Sequence, residues 1–462
     1  MAARVRSSDL SPVDLVAAHL RQIEAQNPRL NAFIEIYADE ARDTARAAEQ
    51  AVVSGESLGP LHGVPITIKD SFDIAGKPTR CGSRLRQGHK AVHDSAAVRR
   101  LRQAGAVILG KTNTPEFLYN WETDNHLIGR TNNPWDLSRT PGGSSGGESA
   151  AISTFCSAGG IGSDGGGSIR VPAHFTGIAG LKPTPGRISA AGHYPEIAHP
   201  GGLLGVAGPM ARNAADLRVL FHVLAGYDCD DPFSAPVPLR TPDLSGLRIG
   251  VLENWPGTPV QPEVKTAVAQ AASAAASLGI PVDAFQPYGM NRAPDYWYFF
   301  FVEMPAPFTR DLIAGKEQQC HWTGLELLAR TDGKPEPTGR DVVLNLAVRD
   351  KLRGSLLRQM EDFPVLMLPA CGVPAFRHRE RGWDTPDGRI EYLQAMAPLT
   401  PFNLFGMPGL VIPFGMTPDG LPLGVQLVAR PWCEELLLEL AVRLEEVRPP
   451  FPSPPGVTLP AR

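Results

Sequence analysis

The stretch PGGSSGGESAAISTFCSAGGIGSDGGGSIRVP, Pro141 to Pro172, sets serines among glycines and contains no histidine. Its carboxylates are Glu148 and Asp164. A serine hydroxyl is a poor nucleophile until a base takes its proton. The oxyanion formed by its attack then needs backbone N–H donors aimed at it. Glycines permit a tight turn with several N–H groups facing one point, and they let a substrate come close. Gly165-Gly166-Gly167-Ser168 fits that description, and the cluster Gly142 to Gly147 is placed to bring a second serine against the first. A glycine-rich turn with incidental serines gives the same local pattern, so the pattern alone leaves catalysis open.

With no histidine at hand, the leading base is a lysine held neutral. Lysine titrates near ~10.4 in water, and burial lowers that by up to about 3–5 units. A lysine at the end of an apolar strand is desolvated in this way. Lys69 follows Val64-Pro65-Ile66-Thr67-Ile68, and Lys111 follows Ala106-Val107-Ile108-Leu109. Position alone does not separate the two.

Those runs belong to an alternation of helix and strand. Ser11-Pro12 reads as a helix start, a serine cap with proline at the first helical position. Asp39 to Val53, Asp94 to Ala104, Val264 to Leu278 and Glu434 to Val447 read as helices. Further strands are expected at 247–252, 363–368, 410–413 and 423–428. The reading is an α/β fold: a single large domain with a central mixed, mostly internal β-sheet covered by helices on both faces. Within it, residues 1–58 are expected as N-terminal helices packed on the core and 59–246 as the catalytic core. Residues 247–360 form a variable region with substrate-pocket helices, and 361–462 the rest of the sheet, a closing helix and a proline-rich tail. The aromatic run Tyr296 to Phe301 reads as a buried helix and as one wall of an apolar pocket.

Two motif matches fail on context. Gly105 to Thr112, GAVILGKT, fits a phosphate loop, but its middle residues are themselves a strand. Gly142 to Gly146 fits a nucleophile elbow, but Asn132 to Pro141 before it reads as loop where that elbow needs a strand.

The whole chain narrows the class. It has 462 residues, a formal net charge of -4 and no long basic run, which speaks against nucleic acid as a partner. Its six cysteines are scattered without CxxC spacing, as expected of free, mostly buried thiols in a reducing cytoplasm. The N-terminus lacks the apolar core of a signal peptide, and no apolar run is long enough to span a membrane.

The run from Gly142 to Thr184 resembles the amidase signature family, with GGSSGGE, then D-x-GGSIR-x-P, then GLKPT. Supporting blocks are LHGVPITIKD (61–70), GAVILGKTNTPEF (105–117), GPMAR (208–212) and GLPLGVQLVARP (420–431). The resemblance implies a serine nucleophile at Ser168, a second serine on a cis peptide at Ser144, and the lysine at Lys69. It implies an oxyanion hole of backbone N–H groups from Gly165, Gly166, Gly167 and Ser168, and no metal or organic cofactor. Ser145 is then a supporting hydroxyl, and Asp164 and Arg170 pair to hold the loop. Lys111 and Lys182 are structural, and His193 and His199 lie in a solvated loop. One departure stands out. The family commonly has threonine or isoleucine where this chain has Gly165, so a less rigid loop and a wider acyl site are expected.

Members of that family cleave many amides, so the motif does not choose the substrate. The aromatic run hints at an aryl or acyl amide, and a carbamate presents a similar carbonyl to the same serine. A glutaminase subunit of a tRNA-dependent amidotransferase is the alternative of a different class. That branch carries a tyrosine-rich segment in its later half, where this chain reads GRDVVLNLAVRDKLRGSLLRQ (339–359). A free-standing hydrolase, monomer or homodimer, is therefore favoured.

Overall fold

The strand that carries Lys69 lies inside the molecule, and every residue of Pro65–Lys69 is buried. The computed structural model describes residues 1–196 and 204–457. In chain order its strands are β1 (Phe33–Ile36), β2 (Pro65–Lys69), β3 (Val107–Thr112), β4 (Gly159–Asp164), β5 (Ala179–Lys182), β6 (Val206–Ala211) and β7 (Ile249–Val251). They continue with β8 (Val282–Ala284), β9 (Val365–Pro369), β10 (Gly382–Thr385), β11 (Gly388–Glu391), β12 (Gly409–Met416) and β13 (Pro422–Ala429). Among the described residues, β10 and β11 form a separate hairpin. The other strands make one 11-stranded mixed sheet ordered β1-β3-β2-β4-β6-β5-β12-β13-β9-β7-β8. The 247–360 region thus adds β7 and β8 to the same sheet.

Alternate side chains along single strands enter different cores, which is how helices come to cover both faces. Leu410 and Ile412 of β12 pack with Leu217, Val264 and Leu438, from the helices Ala214–Leu224, Pro262–Ser277 and Glu434–Val447. Val411, between them, packs on the other side with Ile152 and Ile169. Ile66 and Ile68 of β2 belong to the first core, so Thr67 and Lys69 face the second. The caps follow the residue chemistry: Ser11 accepts from the N–H groups of Val13 and Asp14 at the start of Pro12–Leu30.

Register separates the two lysines. β2 and β3 run parallel, with Lys69 beside Thr112 and Ile68 beside Lys111. The pleat therefore sends Lys69 and Lys111 to opposite faces. Lys111 forms a fully buried ion pair with Asp70 at 2.9 Å and donates to Thr79 Oγ1 at 2.9 Å, which is a structural role. Val107 to Thr112 of GAVILGKT form the strand β3, so no phosphate loop forms there.

Candidate active site

The helix Gly146–Ser153 sits on the sheet face that carries Thr67, Lys69 and Thr112. Glu148 is its anchor: fully buried, it accepts from Thr67 Oγ1 and, at 2.7 Å, from Thr112 Oγ1. Burial pushes its carboxyl up to about 7, against the pull of those hydroxyls. The contact requires glycine on β4, because a Cβ at Gly160 would run into Glu148 Oε1 and the Thr67 carbonyl. Seating the helix in this way brings its leading turn, Gly142 to Ser145, against the end of β2.

There Lys69 Nζ lies 2.7 Å from Ser144 Oγ and 3.0 Å from Ser163 Oγ, with the Ser163 carbonyl at 3.4 Å. The Gly143–Ser144 peptide is cis. Burial lowers the lysine to about 7, although Cys81, Asp164 and Glu148 pull it upward. Lys182 is lowered to about 7 as well, by burial and by Arg170. Its Nζ donates to the Pro183 carbonyl at 2.9 Å, so it is Lys69 whose amine meets serine hydroxyls. Ser163 had no place in the sequence reading. Its signal was its position one residue before Asp164 on a strand that parallels β2.

Ser168 ends the glycine loop that follows β4. The Ser145 N–H donates to the Ser168 carbonyl at 3.1 Å, which ties the two serine segments together. Ser145 Oγ donates to the Ser163 carbonyl at 3.4 Å, a supporting contact as expected. Lys69 and Ser144 are fully buried, whereas Ser168 retains 7% exposure and is the member open to an incoming molecule.

Asp164 organises the loop. It accepts from the Gly167 N–H at 2.7 Å and the Ile169 N–H at 3.1 Å. Arg170 grips it with Nε and Nη2, both at 3.0 Å. Burial would raise this carboxyl, but Arg170 overrides it and holds Asp164 well below the usual carboxylate range. Arg170 also donates from Nη1 to the Leu399 carbonyl at 3.0 Å and to Gln426 Oε1 at 2.7 Å, and from Nη2 to Asn403 Oδ1. The Asp164–Arg170 pair expected from the sequence is therefore real, and it reaches residues far along the chain. It also changes one expectation: the Gly167 N–H is engaged by Asp164. The N–H groups of Gly165, Gly166 and Ser168 meet no acceptor among the described residues.

Two further expectations are corrected. The space vacated at Gly165 is not open, because a Cβ there would lie 2.7 Å from Cε2 of Phe301. His193 is buried rather than solvated: it packs edge-on against Phe72, and its Nδ1 lies 2.7 Å from the Pro195 carbonyl. Burial lowers it to about 3, so it stays neutral. His199 lies outside the described residues.

The aromatic run forms the helix Ala293–Tyr298 and a π-helical turn, Phe299–Glu303. One side of this segment lines a cleft of about 700 Å³ with Tyr296, Trp297, Phe299, Lys334 and Thr400. Thr400 Oγ1 is buried there without a partner among the described residues. Trp297 also reaches the glycine loop, donating from Nε1 to the Gly165 carbonyl at 2.8 Å. Among the described residues one trio of metal-type ligands is found, the buried Asp228 with the exposed Cys229 and Asp230. Asp228 is already paired with Arg99 at 2.6 Å.

Known proteins share this arrangement of the chain. The family model described as Amidase matches residues 14–438. A glutamyl-tRNA(Gln) amidotransferase subunit of Acidothermus cellulolyticus is 35% identical, over 96% of this chain and 93% of its own length. An acylamidase of Rhodococcus erythropolis is 34% identical, over 97% and 94%. The solved structure of a 6-aminohexanoate cyclic dimer hydrolase superposes with a TM-score of 0.86 at 32% identity, covering 99% of this chain and 97% of that one.

Proposed function

The chain belongs to the amidase family and is a hydrolase of amide C–N bonds, and from that footing we propose that Ser168 is its nucleophile, Ser144 its proton relay and Lys69 its base. The observation that carries this is the 2.7 Å contact of Lys69 Nζ with Ser144 Oγ, in a pocket that holds the lysine at about 7. A neutral amine accepts the Ser144 proton, and Ser144 then takes the proton of Ser168. Ser168 attacks the carbonyl carbon, and the developing oxyanion faces the unengaged N–H groups of Gly165, Gly166 and Ser168. Ser144 returns a proton to the leaving nitrogen as the C–N bond breaks, leaving an acyl-enzyme. Water, deprotonated through the same relay, attacks the ester, and Ser168 recovers its proton as the acid departs.

The substrate is an aryl or acyl amide. Support comes from the aromatic segment that packs on the glycine loop through Trp297 and from the acylamidase relative. Carbamates offer the same carbonyl to Ser168. The relative that serves as an amidotransferase subunit favours a second reading, glutamine hydrolysis within an assembly.

The test is turnover by the purified chain alone of an aryl anilide, an aryl carbamate, a long-chain fatty amide and glutamine, each also with Ser168→Ala. Release of aniline or carbamate products, abolished in the variant, is expected. Glutamine turnover alone would select the second reading. Activity that survives Ser168→Ala would overturn the nucleophile assignment.

A further inference from the structure

The glycine loop is held from outside by a row of aromatic rings. Tyr119 stacks on Phe301 at 5.4 Å, Phe301 on Trp297 at 4.9 Å, and Trp297 leans on Trp121 at 5.8 Å. Tyr119 fixes one end of the row by donating from its hydroxyl to the Phe301 carbonyl at 2.7 Å. Two rings fill the places where loop side chains would stand. Phe301 occupies the Cβ space of Gly165, and the Trp297 indole occupies that of Gly166.

Both indoles also hold loop carbonyls. Trp297 Nε1 donates to Gly165 O at 2.8 Å, and Trp121 Nε1 donates to Gly166 O at 3.0 Å. A trans peptide is planar, with C=O and the following N–H pointing in opposite directions. Holding Gly165 O on Trp297 therefore turns the Gly166 N–H away from the aromatic row. Holding Gly166 O on Trp121 likewise turns the Gly167 N–H away from the row, onto Asp164 at 2.7 Å. Gly166 is left as a donor whose direction is set by Trp297.

We propose that Trp297, backed by Phe301 of the π-helical turn, is the positioning residue of the oxyanion cradle, supplying the rigidity that a side chain at position 165 would otherwise give. This rests on Ser168 and its loop being the reacting centre. Trp297 touches no reacting atom. It acts through the Gly165–Gly166 peptide plane, so its loss shows in the transition state more than in substrate binding. Phe301 and Gly165 are a matched pair: the ring and a loop side chain exclude each other.

The experiment compares Trp297→Phe, which keeps a ring and removes the N–H, with wild type on the best substrate of the panel. Removing one oxyanion donor costs about 10²–10³ in kcat, so misdirecting one is expected to cost about 10–100-fold. KM should stay within about threefold. Affinity for an aryl trifluoromethyl ketone, which forms an oxyanion on the serine, should fall by the same factor as kcat/KM. A rise in KM at unchanged kcat, or equal weakening of the ketone and of the product carboxylate, would make Trp297 a substrate wall only and overturn the proposal. If Trp297→Phe does not fold, the matched pair decides. Gly165→Thr alone and Phe301→Ala alone should each lose activity, and the double variant should regain at least about tenfold over Gly165→Thr. Failure to regain it overturns the proposal. Ser168→Ala separates the two layers: if it remains active the centre itself is misassigned, whereas if it is dead and Trp297→Phe is unimpaired, only the positioning role fails.

Discussion

Lys69 Nζ meets three oxygens, from Ser144 and Ser163, and among the described residues it forms no ion pair with a carboxylate. Burial favours the neutral amine, and the ordinary value of 10.5 falls to about 7. Two consequences of the same sign follow. Activity needs the amine neutral, so kcat/KM should climb with pH through about 7 and level above it. Lys69→Met should lose about 10²–10⁴ in kcat/KM, and its residual rate should lack that ascending limb, as a pH–rate profile from 6 to 9 would show. Stability moves the same way. Between about 7 and 10.5 the unfolded chain binds a proton at this lysine that the folded chain does not. Folding stability therefore rises with pH across that window. Lys69→Met should be more resistant to urea than wild type at pH 6.5, and the advantage should shrink by pH 9.5. A variant less stable than wild type at pH 6.5 would contradict a buried amine held near neutrality. At this scale the sequence was half legible. A strand ending in lysine marked both Lys69 and Lys111; the resemblance pointed to Lys69, and the pleat sends the two to opposite faces. Asn403 carries no local signal, and the aromatic run marked Trp297 as a pocket wall without its hold on the glycine loop, because each acts on a partner reached only through the fold.

The elements that seat the site were read unevenly, for a physical reason. β2, β3, β9, β12 and β13 are β-branched or leucine-rich and stand out as apolar runs. β4 (GGIGSD), β5 (AGLK) and β6 (VAGPMA) are poor strand formers that pairing in the sheet interior forces into line. Their glycines serve close approach. The helix Gly339–Gln359 buries only Leu356 among the residues it presents, so no apolar stripe announced it. The seat of the helix Gly146–Ser153 gives the prediction at this scale. Gly160→Ala must displace Glu148 from its two threonine hydroxyls or push the helix off β4. It should lower stability by about 1–3 kcal/mol and weaken activity as Ser144 moves from Lys69. Urea unfolding together with the activity on one aryl amide checks both; a neutral Gly160→Ala would mean that the helix does not depend on that contact. Asp164→Asn should be harsher, since it leaves Arg170 buried without its counter-charge. A loss of about 3–5 kcal/mol is expected, read by the same unfolding curves.

Across the whole molecule the chain doubles back on itself. β5, from the first half, lies between β6 and β12, and β12 and β13 carry the sheet on to β9, β7 and β8. The closing helix Glu434–Val447 buries Leu437, Leu438, Leu440 and Leu444 over the same core that holds Ile66 and Ile161. This core draws on both halves of the chain, so one cooperative transition is expected. Far-ultraviolet circular dichroism and tryptophan fluorescence should report coincident urea midpoints, and two separated midpoints would show that the halves fold independently. The grip of Arg170 on Leu399, Asn403 and Gln426 has a bearing on biosynthesis. A ribosome releases Ser168 long before it has made Gln426. Until then the Asp164–Arg170 clasp has nothing on its far side to close against, and the loop beside it has no fixed shape. The serine is thus made early and shaped late, and a chain cut short before β13 would carry the nucleophile without the frame that aims it.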